Sequence, residues 1–168
     1  MTKDLKTHLK VNGSEYKIEN SWLRESLLFT LRERLGLYGS KNACEQGECG
    51  SCSVMSDETL VCACLVLTGN AVGREIQTIE SLAPDGSMSV IQQAFVDAGA
   101  IQCGFCTPGL LITIQDFLES NSDPSELEIR EAISGNLCRC TGYGRIIEAV
   151  RLVSRATQET EGTSDDNS

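Results

Sequence analysis

Histidine is almost missing from this sequence: the chain holds one, His8, in 168 residues. That leaves a Ser-His-Asp triad, a Cys-His nucleophile pair and a His-rich metal site without their base or ligand. Positive charge is scarce too. Fourteen Lys and Arg stand against twenty-four Asp and Glu, for a formal net charge of −10. A nucleic-acid partner, whose phosphates need a basic face, is thereby excluded. No apolar run approaches the ~20 residues that cross a bilayer, so no membrane partner is expected. The opening MTKDLKTHLKVNG lacks an apolar core and a small-residue cleavage site, so no signal peptide is expected and the chain reads as cytoplasmic. It contains no G-x-G-x-x-G and no P-loop, hence no recognisable nucleotide or flavin site of its own.

Cysteine is what the chain has in excess. The nine are Cys44, Cys49, Cys52, Cys62, Cys64, Cys103, Cys106, Cys138 and Cys140. An odd number cannot pair fully, and cytosolic thiols stay reduced, so a disulfide framework is disfavoured. With 40% hydrophobic and 23% charged residues the chain is globular and long enough for one domain or two small ones. The thiols therefore read as metal ligands. A site built only from thiolates takes zinc or an iron–sulfur cluster.

The chain divides into two halves. HLKVNGSEYKIE alternates about Asn12-Gly13, the strongest two-residue hairpin signal. Leu27, Leu28, Leu31 and Leu35 follow at helical spacing, with Gly36 as the stop. After the first thiol loop, TLVCACLVL reads as one buried strand and REIQTI as another. APDGS, at 83–87, is turn-rich. Beyond it the period becomes helical. Val90 to Ala98 form one helix, and Thr107 caps a second with Pro108 in its first turn. Ser125 opens a third through a capping box, and Ile146, Ile147, Val150 and Val153 mark a fourth. The expectation is α+β. It comprises a mixed domain over residues 1–82, a helical domain over 83–157, and a disordered acidic tail over 158–168.

The first thiol set reads Cys44-x4-Cys49-x2-Cys52, with a fourth cysteine further on. C-x4-C-x2-C…C is the plant-type [2Fe–2S] spacing. Gly47 and Gly50 let the loop wrap closely and aim its amides at cluster sulfur. Cys62 and Cys64 both qualify as the fourth ligand, since on one strand they would share a face. Whichever is spare is expected to be a small buried residue. The second set is Cys103-x2-Cys106 and Cys138-x-Cys140. Its first pair precedes a helix N-terminus, which favours anionic ligands. Spacing alone allows zinc there.

Taken together, CEQGECGSC…ACL, IQCGFCTPGLL and GNLCRCTGY resemble the iron–sulfur subunit of the molybdenum hydroxylases, the family of xanthine dehydrogenase, aldehyde oxidase and carbon monoxide dehydrogenase. The likeness runs from about Leu9 to Val153 and is greatest to the small subunits of bacterial xanthine dehydrogenases. It implies an N-terminal plant-ferredoxin-like β-grasp domain and a C-terminal four-helix [2Fe–2S]-binding domain. By motif match, Cys44, Cys49, Cys52 and Cys64 hold the first cluster, ACL favouring Cys64 over Cys62. Cys103, Cys106, Cys138 and Cys140 hold the second, with Gln102 and Cys140 approaching the molybdopterin. Molybdopterin and FAD would sit in partner subunits of a hetero-oligomer, with electrons passing from molybdenum through both clusters to flavin. This chain would do no substrate chemistry. A stand-alone two-cluster ferredoxin and a zinc-stabilised binding module are the alternatives. Trp22 reads as a packing anchor and His8 as a surface residue. Arg139 is open between a solvated charge and a role at the cluster or partner. Gly142 and Gly144 read as a tight turn.

Overall fold

The computed structural model describes residues 8–162. Residues 1–7 and 163–168, which hold the start of the chain and part of the expected acidic tail, lie outside that range. The hairpin at Asn12-Gly13 joins β1 (His8–Val11) to β2 (Ser14–Lys17). Both turn residues take the left-handed conformation, at φ 51° and 76°. A 3-10 turn over Asn20–Arg24 follows, where half-buried Trp22 packs against the core as expected. Arg34 lies over its ring, 5.5 Å from the centroid.

The leucine stripe forms α1 (Leu27–Phe29), which continues as a π turn over Thr30–Arg34. Leu27, Leu28 and Leu31 are buried, and Gly36 turns the chain away at φ 71°. The thiol loop then leads into β3 (Ser53–Ser56) and β4 (Thr59–Cys62). After α2 (Thr68–Ala71) comes β5 (Glu75–Gln77). The five-stranded sheet has the order β2-β1-β5-β3-β4. β1 and β5 run parallel and the other neighbours antiparallel.

The structure differs from the sequence reading at two places here. β3 carries no sequence signal, because SVMS offers two apolar residues between serines and no clear alternation. In addition, TLVCACLVL is not one strand. β4 stops at Cys62, and the N–H of Leu65 bonds back to the Cys62 carbonyl at 2.9 Å, closing a turn. Leu65 and Leu67 are exposed. The Ala63 N–H still follows the β3–β4 register, bonding the Cys52 carbonyl at 3.2 Å; beyond it the run leaves β3 for the start of α1, where the N–H groups of Leu28 and Leu27 donate to the Ala63 and Val66 carbonyls at 3.0 and 2.7 Å. Cys62 and Cys64 therefore lie on different elements, and the shared-face argument fails.

The second half builds its own hydrophobic core from α3 (Val90–Asp97), α4 (Thr107–Ser120), α5 (Glu126–Ala132) and α6 (Gly144–Gly162). Ser125 and Glu128 form the expected capping box, and Ser89 and Gln92 form a second at α3. The cap of α4 is Cys106 rather than Thr107, which is already helical because Cys106 itself adopts φ −79°, ψ −18°. α6 runs to Gly162, so the tail boundary expected at 158 falls inside a helix. Once a helix is nucleated each added residue closes another hydrogen bond, and Gln and Glu are good formers.

The two cores meet along a seam where backbone comes close to backbone at two glycines. A Cβ on Gly109 of α4 would lie 2.1 Å from the Gly50 carbonyl oxygen. A Cβ on Gly50 would lie 2.5 Å from both Asn136 Nδ2 and the Gly135 carbonyl oxygen. Across this contact buried Asn136 donates to the Gly50 carbonyl at 3.0 Å. The N–H of Leu137 donates to the Cys49 carbonyl at 2.9 Å.

Candidate metal centres

The loop from Cys44 to Cys52 is wound by three left-handed residues, Glu45, Gly47 and Gly50, at φ 54°, 76° and 67°. Alternating handedness turns successive N–H groups to one side, making a concavity suited to anions. The Cys44 thiol is its clearest occupant. The N–H groups of Gln46 and Glu48 each reach its Sγ at 3.4 Å. The Gln46 N–H, then the Cys49 thiol and the Glu48 N–H, hold Cys44 down at about 6.

Cys49 and Cys52 are buried, and Cys64 comes in from the turn after β4. Burial pushes the Cys64 thiol up to about 12, helped by the adjoining Cys52 thiol and opposed by the Gly47 N–H. Burial also raises Cys52, which the N–H and thiol of Cys64 partly offset. The first set thus forms two contacting pairs, Cys44 with Cys49 and Cys52 with Cys64.

The second set is paired too. Cys103 and Cys140 are exposed, with their Sγ atoms 3.6 Å apart. Cys106 and Cys138 are half-buried and touch. Burial and then the Cys138 thiol push Cys106 up to about 12. Cys138 is also desolvated, yet it is held below its usual value by the Thr141 hydroxyl, 3.1 Å away, and by backbone N–H groups. The neighbouring Cys103 thiol raises Cys140. Cys106 is the N-cap of α4, a helix of 14 residues, so the positive end of that helix faces the set.

Tyr143 holds the second loop in shape. Its hydroxyl accepts the Cys138 N–H at 2.9 Å and donates to the Asn136 carbonyl at 3.1 Å. Tyr143 itself sits at φ 66° beside Gly142 at 63°, a strained choice for an aromatic residue that the two hydrogen bonds maintain. Gln102 and Arg139 are exposed beside this set, and His8 is exposed far from either. Spacing in the sequence picks out every thiol but not Asn136, Tyr143 or Gly109. Gly142 and Gly144 mark a turn without revealing the hydroxyl that braces it, and nothing in local spacing marks Asn136 or Gly109.

Among the described residues no group of three or more His, Cys, Asp or Glu side chains is arranged for a single metal ion. The donors come as two pairs of thiols at each centre instead. A [2Fe–2S] cluster asks for that arrangement, with four cysteine ligands, two thiolates on each iron, and N–H donors toward sulfur. The residues present fit the group.

Residues 9–87 match the model of the 2Fe-2S iron-sulfur cluster binding domain, and residues 78–151 match that of the [2Fe-2S] binding domain. The chain is 46% identical over 144 residues to the nicotinate dehydrogenase small FeS subunit of Eubacterium barkeri, covering 86% of this chain and 91% of that one. To the xanthine dehydrogenase iron-sulfur-binding subunit of Escherichia coli O157:H7 it is 47% identical over 122 residues, covering 71% and 76%. The chain belongs to the iron–sulfur subunits of the molybdenum hydroxylases. Among solved structures, quinoline 2-oxidoreductase from Pseudomonas putida 86 superposes with a TM-score of 0.84 at 40% identity, covering 94% of this subunit and 98% of that chain. As an iron–sulfur subunit it carries two [2Fe–2S] binding domains and serves electron transfer in an oxidoreductase complex. The stand-alone ferredoxin and the zinc module fall away as readings.

Proposed function

We propose that Cys44, Cys49, Cys52 and Cys64 hold one cluster and Cys103, Cys106, Cys138 and Cys140 the other. On this reading residues 1–82 form a β-grasp, plant-ferredoxin-like domain and 83–157 a four-helix [2Fe–2S] domain. Bound there, the clusters supply one-electron carriers between a molybdopterin subunit and an FAD subunit. The observation that carries the reading is the hydrogen bond from Leu137 N–H to the Cys49 carbonyl. It joins the residue before one ligand, Cys138, to another ligand, Cys49. The two ligand sets are thus linked by a short covalent and hydrogen-bonded path.

Gly47 distinguishes the two rival cysteines. Its N–H points at the Cys64 thiol, whereas its carbonyl oxygen lies 4.0 Å from Cys62 Sγ, which donates to it. A thiolate is stabilised by the first contact and repelled by the second, which supports Cys64 as the resident ligand. The exposed Cys103–Cys140 pair, with exposed Ile101, Phe105 and Leu137 nearby in sequence, is the edge that faces the large subunit. Gln102 and Cys140 approach the pterin there. The substrate class is that of the relatives: a purine such as xanthine, another N-heterocycle, or an aldehyde, oxidised in the large subunit. The complex works in the cytoplasm; among the described residues no helix is long and apolar enough to cross a membrane.

Iron and acid-labile sulfide assays, with EPR on the reduced complex, test the reading. About four irons and about four sulfides per chain are expected, with two distinguishable [2Fe–2S] signals. Stoichiometric zinc without sulfide would reject it.

A further inference from the structure

Cys62 is left over by the ligand set proposed above, and its role as inferred here rests on that set. It ends β4 opposite Ser53, the residue after Cys52. It is half-buried, and its thiol touches that of Cys52. This thiol is therefore no isolated core residue; it reaches the Gly47 carbonyl inside the loop that carries Cys44, Cys49 and Cys52.

Reach does not exclude Cys62 from the metal. Orientation does, because the Gly47 carbonyl oxygen faces it at 4.0 Å while the Gly47 N–H serves Cys64. That barrier is local: the same peptide carries the Glu48 N–H that reaches Cys44 Sγ at 3.4 Å, so turning it gives up one hydrogen bond. Gly47 sits at φ 76°, and without a Cβ the peptide that follows it turns at little steric cost. A Cβ there would lie 2.3 Å from Leu65 Cδ1, the far end of a flexible and exposed side chain.

We infer that Cys62 is a reserve ligand of the first centre, placed to replace Cys64 in the proposed ligand set. Where Cys64 is lost, Cys62 would hold the cluster in its place as a thiolate, its proton going to solvent; no electron would move, and the ligand count and charge would be unchanged.

The test uses the full chain purified with its partner subunits, assayed for iron and sulfide and by EPR after reduction. Cys62→Ala is expected to keep about four irons and an unshifted first signal. Cys64→Ala is expected to keep about four irons with a first signal of altered g-values. The double variant is expected to fall to about two irons with the second signal intact. Cys64→Ser keeps the site near its native shape if alanine impairs folding; its first signal is expected to match that of Cys64→Ala, since sulfur outcompetes a hydroxyl for iron. Loss of the first signal in both Cys64 variants with the second intact overturns the inference. So does a double variant that retains about four irons. Loss of the cluster in Cys62→Ala with none in Cys64→Ala would make Cys62 the resident ligand and overturn it too. Zinc without sulfide in the unsubstituted complex would instead defeat the reading on which it rests.

Discussion

Gly109 shows how much of this molecule depends on the absence of one carbon. An alanine there would place its Cβ 2.1 Å from the Gly50 carbonyl oxygen, so backbone must move. Gly→Ala inside a helix normally gains about 1 kcal/mol. Overpacking against backbone costs about 1–3 kcal/mol and outweighs it. Gly109→Ala should therefore lower stability, seen as an earlier thermal midpoint at fixed scan rate, and should loosen the first centre. Asn136 works on the same carbonyl but is less critical, because Ser53 also donates to it through its N–H and hydroxyl. Neither residue is legible in the sequence. The thiols announce themselves by spacing, whereas Gly109 and Asn136 matter only for what lies across the seam, 59 and 86 positions away from Gly50 for the two respectively.

The loops that carry the thiols differ in protonation, and the difference governs loading. Cys44 is held at about 6 and is already thiolate at pH 7. Burial holds Cys64 and Cys106 up at about 12 and raises Cys52. In the apo chain these three are neutral thiols at pH 7, so cluster assembly must expel their protons. Protons compete with iron, and raising pH removes the competitor. Reconstitution of the apo chain with iron and sulfide should acidify a weakly buffered solution and proceed further at pH 9 than at pH 7. A yield that falls as pH rises over that window would refute the argument. The elements around these loops are partly legible in the sequence. The N-terminal hairpin, the leucine helix and the Ser125 box each rest on local chemistry that the fold leaves intact. β3 and the break after Cys62 do not, because both are imposed by hydrogen bonds from distant chain: β3 by its pairing with β5, and the break by the Leu27 and Leu28 N–H groups, which bond the Val66 and Ala63 carbonyls.

The molecule as a whole is acidic, and the exposed apolar side chains of Ile101, Phe105 and Leu137 belong to the loops that carry its outermost thiol pair. Apolar surface next to a redox edge calls for a covering partner. Phe105→Asp should leave about four irons on the chain but abolish co-purification with the large subunit, as read by size-exclusion chromatography. Retention of the complex would place the docking face elsewhere.

The seam also sets a timetable for biogenesis. The carbonyl of Gly50 has Ser53 as a local donor, but its partner across the seam lies 86 residues downstream. At about 5–20 residues per second, a ribosome exposes the first thiol loop roughly 4–17 s before Asn136 is made, and longer before it can fold into place. During that interval the nascent loop has its cysteines but neither the Asn136 donor nor the Leu137 N–H. The four cysteines proposed for the first cluster are all made by residue 64, but the contacts that close the seam over their loop come only with the last third of the chain. A chain abandoned at its midpoint has the first thiol set without the two hydrogen bonds that tie its loop to the second half.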